Sequence, residues 1–222
     1  MKEANFKETE IGKIPVDWEV KTLGEIAEID CENLSSSTST NYSFNYISLE
    51  DVDCGKLTKY QHLKFDEAPS RARRVLRYDD LLFSTVRPNL KSHFHFKDKS
   101  ENFICSTGFA VLRTDSNSNF IYQNFFSNHL NVQVENLISG SNYPAISSKN
   151  FKDLVIPLPP LSEQEKIAEV LSDTDLWIES TEALLAKKRQ IKKGAMQKLL
   201  SPKEDWEVAE LKDVAWFQEG PG

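Results

Sequence analysis

Leu158-Pro159-Pro160-Leu161-Ser162-Glu163-Gln164-Glu165 divides the chain into two textures. The proline pair is a rigid, extended boundary, because each ring fixes φ and disfavours helix in the residue before it. Ser162-Glu163-Gln164-Glu165 has the spacing of a capping box, with Ser162 as the expected cap. From Glu163 to Leu200 there is no proline and a single glycine, Gly194. At about 1.5 Å per residue that run predicts a helix on the order of 57 Å long. Ser201-Pro202 ends it.

Apolar residues recur along this segment every seven positions. One series is Val170, Trp177, Leu184 and Ile191; beside it run Leu171, Ile178, Leu185 and Leu199, and Ile167 extends the stripe by a turn. A heptad sustained over such a length predicts a coiled coil, since a lone helix would leave the stripe wet. Glu163, Glu165, Glu169, Asp173, Asp175, Glu179 and Glu182 lie in the first half, opposed by Lys166 alone; Lys187, Lys188, Arg189, Lys192, Lys193 and Lys198 occupy the second. Such polarity complements the helix dipole. It equally suits antiparallel pairing, which sets acid against base.

N-terminal to the boundary, residues 1–13 are polar and read as a loose arm. Thr22-Leu23-Gly24-Glu25 is a second capping box, predicting a short helix over 23–29. A Ser/Thr loop follows at 33–43. Short apolar runs at Tyr46–Leu49, Leu81–Ser84, Asn102–Cys105, Phe109–Leu112 and Leu154–Pro157 read as strands, and His93-Phe94-His95-Phe96 alternates as a half-buried strand would. Residues 119–138 carry helical spacing. The expected fold is α+β: a mixed globule over 14–157, then the long helix over 158–201.

Asp17-Trp18-Glu19-Val20 recurs as Asp205-Trp206-Glu207-Val208, at an offset of 188. In the same register Leu23 matches Leu211 and Ala27 matches Ala215. The chain therefore reads as one unit plus, over 202–222, the opening of a second.

The sequence holds 222 residues with a net charge of -7, 39% hydrophobic and 10% aromatic, with thirteen phenylalanines. This suffices for a core and argues against disorder. No apolar run approaches the roughly 20 residues of a membrane span, so no membrane partner is expected. The N-terminus lacks signal-peptide character. Three widely spaced cysteines, Cys31, Cys54 and Cys105, fit a reducing cytoplasm. The acidity is uneven: residues 35–156 carry 14 basic and 12 acidic side chains.

Catalytic patterns are missing from the sequence. There is no glycine-rich phosphate loop, GxSxG or HExxH. His93 and His95 lack the further ligands of a metal site. Glu163-Gln164-Glu165-Lys166 superficially matches a nuclease motif, but a capping box accounts for it. What remains is a recognition surface. Arg71, Arg73 and Arg74, with Arg77, form the densest basic cluster; Arg87, Asn89 and Lys91 follow a strand; Ser141, Asn142, Tyr143 and Lys149 form another polar group. These residue types bind phosphates and read base edges, although each patch alone also fits a plain solvated surface.

Three of these segments together resemble the specificity subunit of Type I restriction–modification enzymes. They are Ile14-Pro15-Val16-Asp17-Trp18-Glu19-Val20 with Leu23, Ile156-Pro157 through Lys166-Ile167-Ala168, and the long helix with Gln197-Lys198-Leu199-Leu200. Asp79–Ser84 and Ser106-Thr107-Gly108-Phe109 also look like target-recognition-domain sequence. The resemblance implies a target recognition domain that reads one half of a split site in double-stranded DNA, and a helix that pairs antiparallel as a spacer. It implies docking to modification (methyltransferase) subunits and to restriction subunits. S-adenosylmethionine, ATP and Mg are then expected on those partners, with no cofactor, metal or catalytic residue in this chain. With one such helix, the chain is expected to form a homodimer through Ile167, Val170, Leu171, Trp177, Ile178, Leu184, Leu185, Ile191 and Leu199. An adaptor that occupies the methyltransferase without reading DNA is the alternative from another class.

Overall fold

The computed structural model describes residues 5–138 and 144–216. Contacts divide the chain into two units, residues 1–173 and 174–222. The first unit opens with strands β1 (Phe6–Thr9), β2 (Gly12–Pro15) and β3 (Glu19–Thr22), helix α1 (Leu23–Ile26) and strand β4 (Ala27–Ile29). Next come β5 (Ser43–Ile47), a 3-10 turn, β6 (Val52–Asp53), β7 (Lys56–Leu57), β8 (Gln61–Lys64), β9 (Ala72–Leu76) and β10 (Leu81–Ser84). A second 3-10 turn (Pro88–Leu90) leads to β11 (Phe94–His95), β12 (Phe103–Ser106) and β13 (Phe109–Thr114). Helices α2 (Ser118–Asn124), α3 (Asn128–Leu137) and α4 (Ser148–Lys152), strand β14 (Val155–Leu158) and the long helix α5 (Leu161–Leu199) follow. Helix α6 (Leu211–Val214) belongs to the second unit. The α+β class is as expected.

Two four-stranded sheets build the first unit, in the orders β11-β10-β13-β4 and β8-β5-β12-β9. Strand β12 runs parallel to β5 and antiparallel to β9. The central strands are buried on both faces, which is why they read as unbroken apolar runs. In β10 and β13, Leu81, Phe83, Ala110 and Leu112 face one core with Phe120, Phe125, Leu130 and Phe151. Leu82, Phe109 and Val111 face a second core with Phe96, Phe103 and Cys105. Ile104, with Phe44, Tyr46 and Ala72, faces a third, on the other side of β12. Each strand thus contributes to two layers through the period of two.

Several local expectations change. Residues 6–15 form a β-hairpin, with Gly12 in the left-handed region (φ 99°), where the sequence suggested a loose arm. The Thr22 box caps only one turn, with Glu25 N–H bonded to Thr22 Oγ1 at 3.3 Å. Ala27–Ile29 then leaves the helix and pairs with β13, because tertiary pairing outweighs a local signal. The helical run 119–138 breaks in two, and Ser127 caps the second helix by accepting from Leu130 N–H. His93-Phe94-His95-Phe96 does not alternate: His93 and Phe96 are both buried. Strand β9 was hidden in the basic cluster.

The start of α5 also differs. Glu163 and Gln164 N–H both donate to Pro160 carbonyl oxygen, so Pro160 stands at the cap and Ser162 lies inside the first turn. The carboxylate of Glu163 accepts the indole N–H of Trp18 at 3.1 Å. Gln164 is buried, donates to Pro159 carbonyl oxygen (2.8 Å) and accepts from Asn117 N–H (3.1 Å). Ala168 packs in the first core and Ile167 against it. The motif that looked like a cap is a seam joining helix to domain.

Candidate nucleic-acid interface

The basic cluster 71–77 is mostly committed to the fold. Arg74 pairs with Asp30 at 2.8 Å, both side chains largely buried, and also donates to Asn33. Arg73 donates to the carbonyl of Ala72 and lies over the Phe65 ring at 4.8 Å. Arg77 makes a two-pronged pair with Glu32 (2.7 and 3.0 Å). Arg113 does the same with the buried Asp80 (2.9 and 2.7 Å). Asp30 and Glu32, just after β4, meet the guanidinium groups of Arg74 and Arg77, and Asp80, just before β10, meets that of Arg113 on β13. Arg71 alone of the predicted trio is exposed. Arg73 and Arg74 are half-buried, the first held by its cation–π contact and the second by its ion pair.

The loop after β10 behaves differently. Ser84 N–H donates to His93 Nδ1 (3.1 Å), and Thr85 bonds Gly108 carbonyl oxygen through both N–H (2.9 Å) and Oγ1 (2.8 Å). A Cβ at Gly108 would meet Leu49 Cδ1 at 2.5 Å, so any larger residue there would have to displace the Leu49 side chain. Across the loop Arg87 N–H donates to Pro144 carbonyl oxygen (2.7 Å) and Ile146 N–H to Thr85 carbonyl oxygen (2.9 Å). These bonds bring together two polar segments far apart in sequence.

Within the pinned frame Arg87 (φ 50°) and Lys91 (φ 53°) are both left-handed, a conformation costing a non-glycine residue roughly 1–2 kcal/mol. Buried Pro88 sits between them and anchors the turn, while Arg87, Asn89, Leu90 and Lys91 are exposed. Lys149, exposed on α4, follows the N-cap Ser147, which accepts from Asn150 N–H. Ser141, Asn142 and Tyr143 lie outside the described residues. Strain held in place by surrounding bonds concentrates where a surface has a task.

His93 supports the loop from below. It stacks on Phe83 with ring centroids 4.1 Å apart, and burial pushes its pKa down to about 3. Neutral His93 accepts at Nδ1, so Nε2 carries the proton, and the ring lies edge-to-face with those of Phe125 and Phe126. His95 is likewise held down, to about 4, by burial and by Lys97. It and Lys97 bind the Asp79 carboxylate, which Ser118 also donates to (2.9 Å). Asp79 and Asp80 of the Asp-Asp-Leu-Leu-Phe-Ser run are thus structural. Among the described residues no group of three or more His, Cys, Asp or Glu side chains could hold a metal ion. Nor is any helix among them long and apolar enough to cross a membrane.

On α5 the heptad residues from Val170 onward are exposed: Val170 to 65%, Trp177 to 75% and Ile191 to 62%. Leu171, Ile178, Leu184, Leu185 and Leu199 are exposed as well, whereas Ile167 packs on the domain core. Trp177, Ile178 and Leu185 line one apolar groove with Thr174, Thr181 and Glu182.

Residues 15–190 match the sequence family described as the Type I restriction modification DNA specificity domain. A putative type I restriction enzyme MjaX specificity subunit of Methanocaldococcus jannaschii is 28% identical over 98% of this chain and 57% of that protein. The crystal structure of the HsdS subunit from Thermoanaerobacter tengcongensis is similar with a TM-score of 0.69 and 27% identity, covering 88% of this chain and 52% of that one. A second solved structure, concerned with complex assembly and conformational transition of the type I R-M system, gives a TM-score of 0.73 at 27% identity and the same coverage. The chain spans about half the length of the relatives it matches.

Proposed function

The chain belongs to the family of Type I restriction modification DNA specificity domains, and from that premise we propose that it is the non-catalytic reader of one half of a double-stranded DNA target. The single observation that carries this reading is the pinned, strained loop Arg87–Lys91 beside Pro144–Lys149. It presents cationic and carboxamide groups on rigid backbone, as phosphate binding and base reading both require. In this reading residues 14–157 are the target recognition domain, 158–201 the spacer helix and 202–222 the opening of a second repeat. Arg71, Arg87 and Lys149 bind phosphates, while Asn89 and Lys91 stand closest to bases.

The exposed heptad face of α5 pairs with an antiparallel helix, which a second copy of the chain supplies. The assembled reader directs modification and restriction subunits, which hold S-adenosylmethionine, ATP and Mg, to DNA in the cytoplasm. Two-fold pairing of the helices predicts an inverted-repeat target.

Selection from randomised duplexes tests the reading. Enrichment of a defined motif by the chain is expected; binding with no preference, or none, overturns it. Sedimentation at micromolar concentration tests the pairing. The expected mass is twice 25.4 kDa, and a stable monomer refutes the homodimer.

A further inference from the structure

Helix α3 bears on the Arg87–Lys91 loop and carries none of the residues the basic patches drew attention to. Its sequence, Asn128–Leu137, contains no lysine or arginine. Leu130 and Val134 bury one side in the core. Gln133 locks the helix to β14 with two bonds to Val155, donating to its carbonyl oxygen (2.8 Å) and accepting from its N–H (2.9 Å). The rotation so fixed leaves Asn128, Val132 and Glu135 exposed. Helix and 3-10 turn border a cavity of about 200 Å³, whose polar lining is Asn89 and Lys91 on one wall and Asn128, Asn131 and Glu135 on the other, with Pro88, Val134 and Ile138 as its apolar part.

The chemistry of that lining is selective. A phosphate would meet the Glu135 carboxylate and be repelled. A base edge offers donors and acceptors together, and the lining answers both: Lys91 donates, Glu135 accepts, and three carboxamides do either. Asn131 gives one N–H to Phe126 carbonyl oxygen (3.3 Å), which does not exhaust an amide with two donors and two lone pairs. In the major groove carboxylates accept from exocyclic amines and carboxamides pair with adenine.

We infer that α3 is a base-reading element: Asn128, Asn131 and Glu135, facing Asn89 and Lys91 across the cavity, read a base-pair edge in the major groove, with Glu135 accepting from the exocyclic amine of cytosine or adenine. Arg87 and Lys149, outside the cavity, take the flanking phosphates. This rests on the DNA-reading function proposed above and adds the residues that set one position of the motif.

The test is duplex selection with the full chain and its Glu135→Ala and Asn128→Ala variants, each checked for unchanged melting. Both residues are exposed, so the fold survives. Glu135→Ala removes the acceptor and is expected to relax preference at one position by about tenfold, while total affinity for duplex stays within about threefold. Replacing the base at that position by its analogue lacking the amine is expected to weaken wild type and leave Glu135→Ala unaffected. Identical motifs from wild type and both variants overturn the inference and leave the proposed function standing. A wild-type chain that enriches no motif overturns that function, and the inference with it.

Discussion

Trp18 donates its indole N–H to the Glu163 carboxylate at 3.1 Å, across 145 residues of sequence. The bond ties the repeated Asp-Trp-Glu-Val opening to the first turn of the long helix, and β3 supports it by pairing with β14 just before the helix begins. Trp18→Phe keeps an aromatic ring and loses the donor, so a cost of about 1 kcal/mol is expected. Glu163→Gln keeps an acceptor and is expected to cost less. Urea midpoints of the two variants decide it: equal losses would mean that the charge, rather than the bond, matters.

Gln164 is the more demanding partner at the same seam. Its buried amide satisfies Pro159 carbonyl oxygen and Asn117 N–H. Gln164→Leu fits the space but strands both groups, and a loss of about 2–3 kcal/mol is expected. Thermal unfolding measures it. A variant as stable as wild type would show that water replaces the amide.

Arg74→Ala is expected to destabilise the domain by about 2 kcal/mol at pH 7, because it leaves the largely buried Asp30 carboxylate without its cation. Burial already raises the Asp30 pKa, against the backbone bond from Val111 and the attraction of Arg74. The loss should therefore shrink in more acidic buffer, where Asp30 takes up a proton. Arg71→Ala, at an exposed position of the same cluster, is expected to leave the midpoint unchanged. Chemical denaturation at pH 7 and in the acidic buffer distinguishes them.

These contrasts mark what was legible in the sequence. The doubly buried strands β10, β12 and β13 announced themselves, because their apolar runs need no partner to be recognised. So did α5, whose heptads and charge polarity are local properties. Strand β9 did not: Ala72-Arg73-Arg74-Val75 looks like surface until Asp30 and Phe65, from distant segments, take up its arginines. The union of the Arg87 loop with Pro144–Ile146 depends on two non-local backbone bonds that no spacing encodes. Asn128, Asn131 and Glu135 lack the positive charge that marks a nucleic-acid contact in a sequence, and α3 holds no lysine or arginine. The one available signal was the helical spacing of Leu130 and Val134, which turns those polar residues outward.

Acid should weaken the fold through His93. Its pKa lies near 6.5 when unfolded and at about 3 when folded. Between those values the unfolded chain binds a proton that the native one excludes, so stability is full above 6.5 and falls as pH falls, by about 1.4 kcal/mol per unit. That amounts to about 2 kcal/mol between pH 7 and pH 5, and His95, depressed to about 4, adds to it. His93→Gln offers an uncharged acceptor to Ser84 N–H and is expected to flatten roughly half of the slope. Denaturant midpoints at pH 7, 6 and 5 give the answer; an unchanged slope would place the titrating groups elsewhere.

Arg87→Gly separates strain from binding at the proposed interface. Glycine occupies the left-handed region without penalty, and its greater freedom when unfolded offsets part of that gain. The guanidinium's own contacts within the fold are lost as well, so the melting temperature is expected to hold or fall slightly. If the guanidinium binds a phosphate, duplex affinity should fall on every sequence alike, and the slope of log affinity against log salt should become shallower by about 1. Arg87→Lys should restore the slope while reintroducing the strain. Titration of fluorescent duplex at several salt concentrations, beside a melting curve, reads both quantities. A stable glycine variant with undiminished affinity and slope would move the phosphate contact away from Arg87.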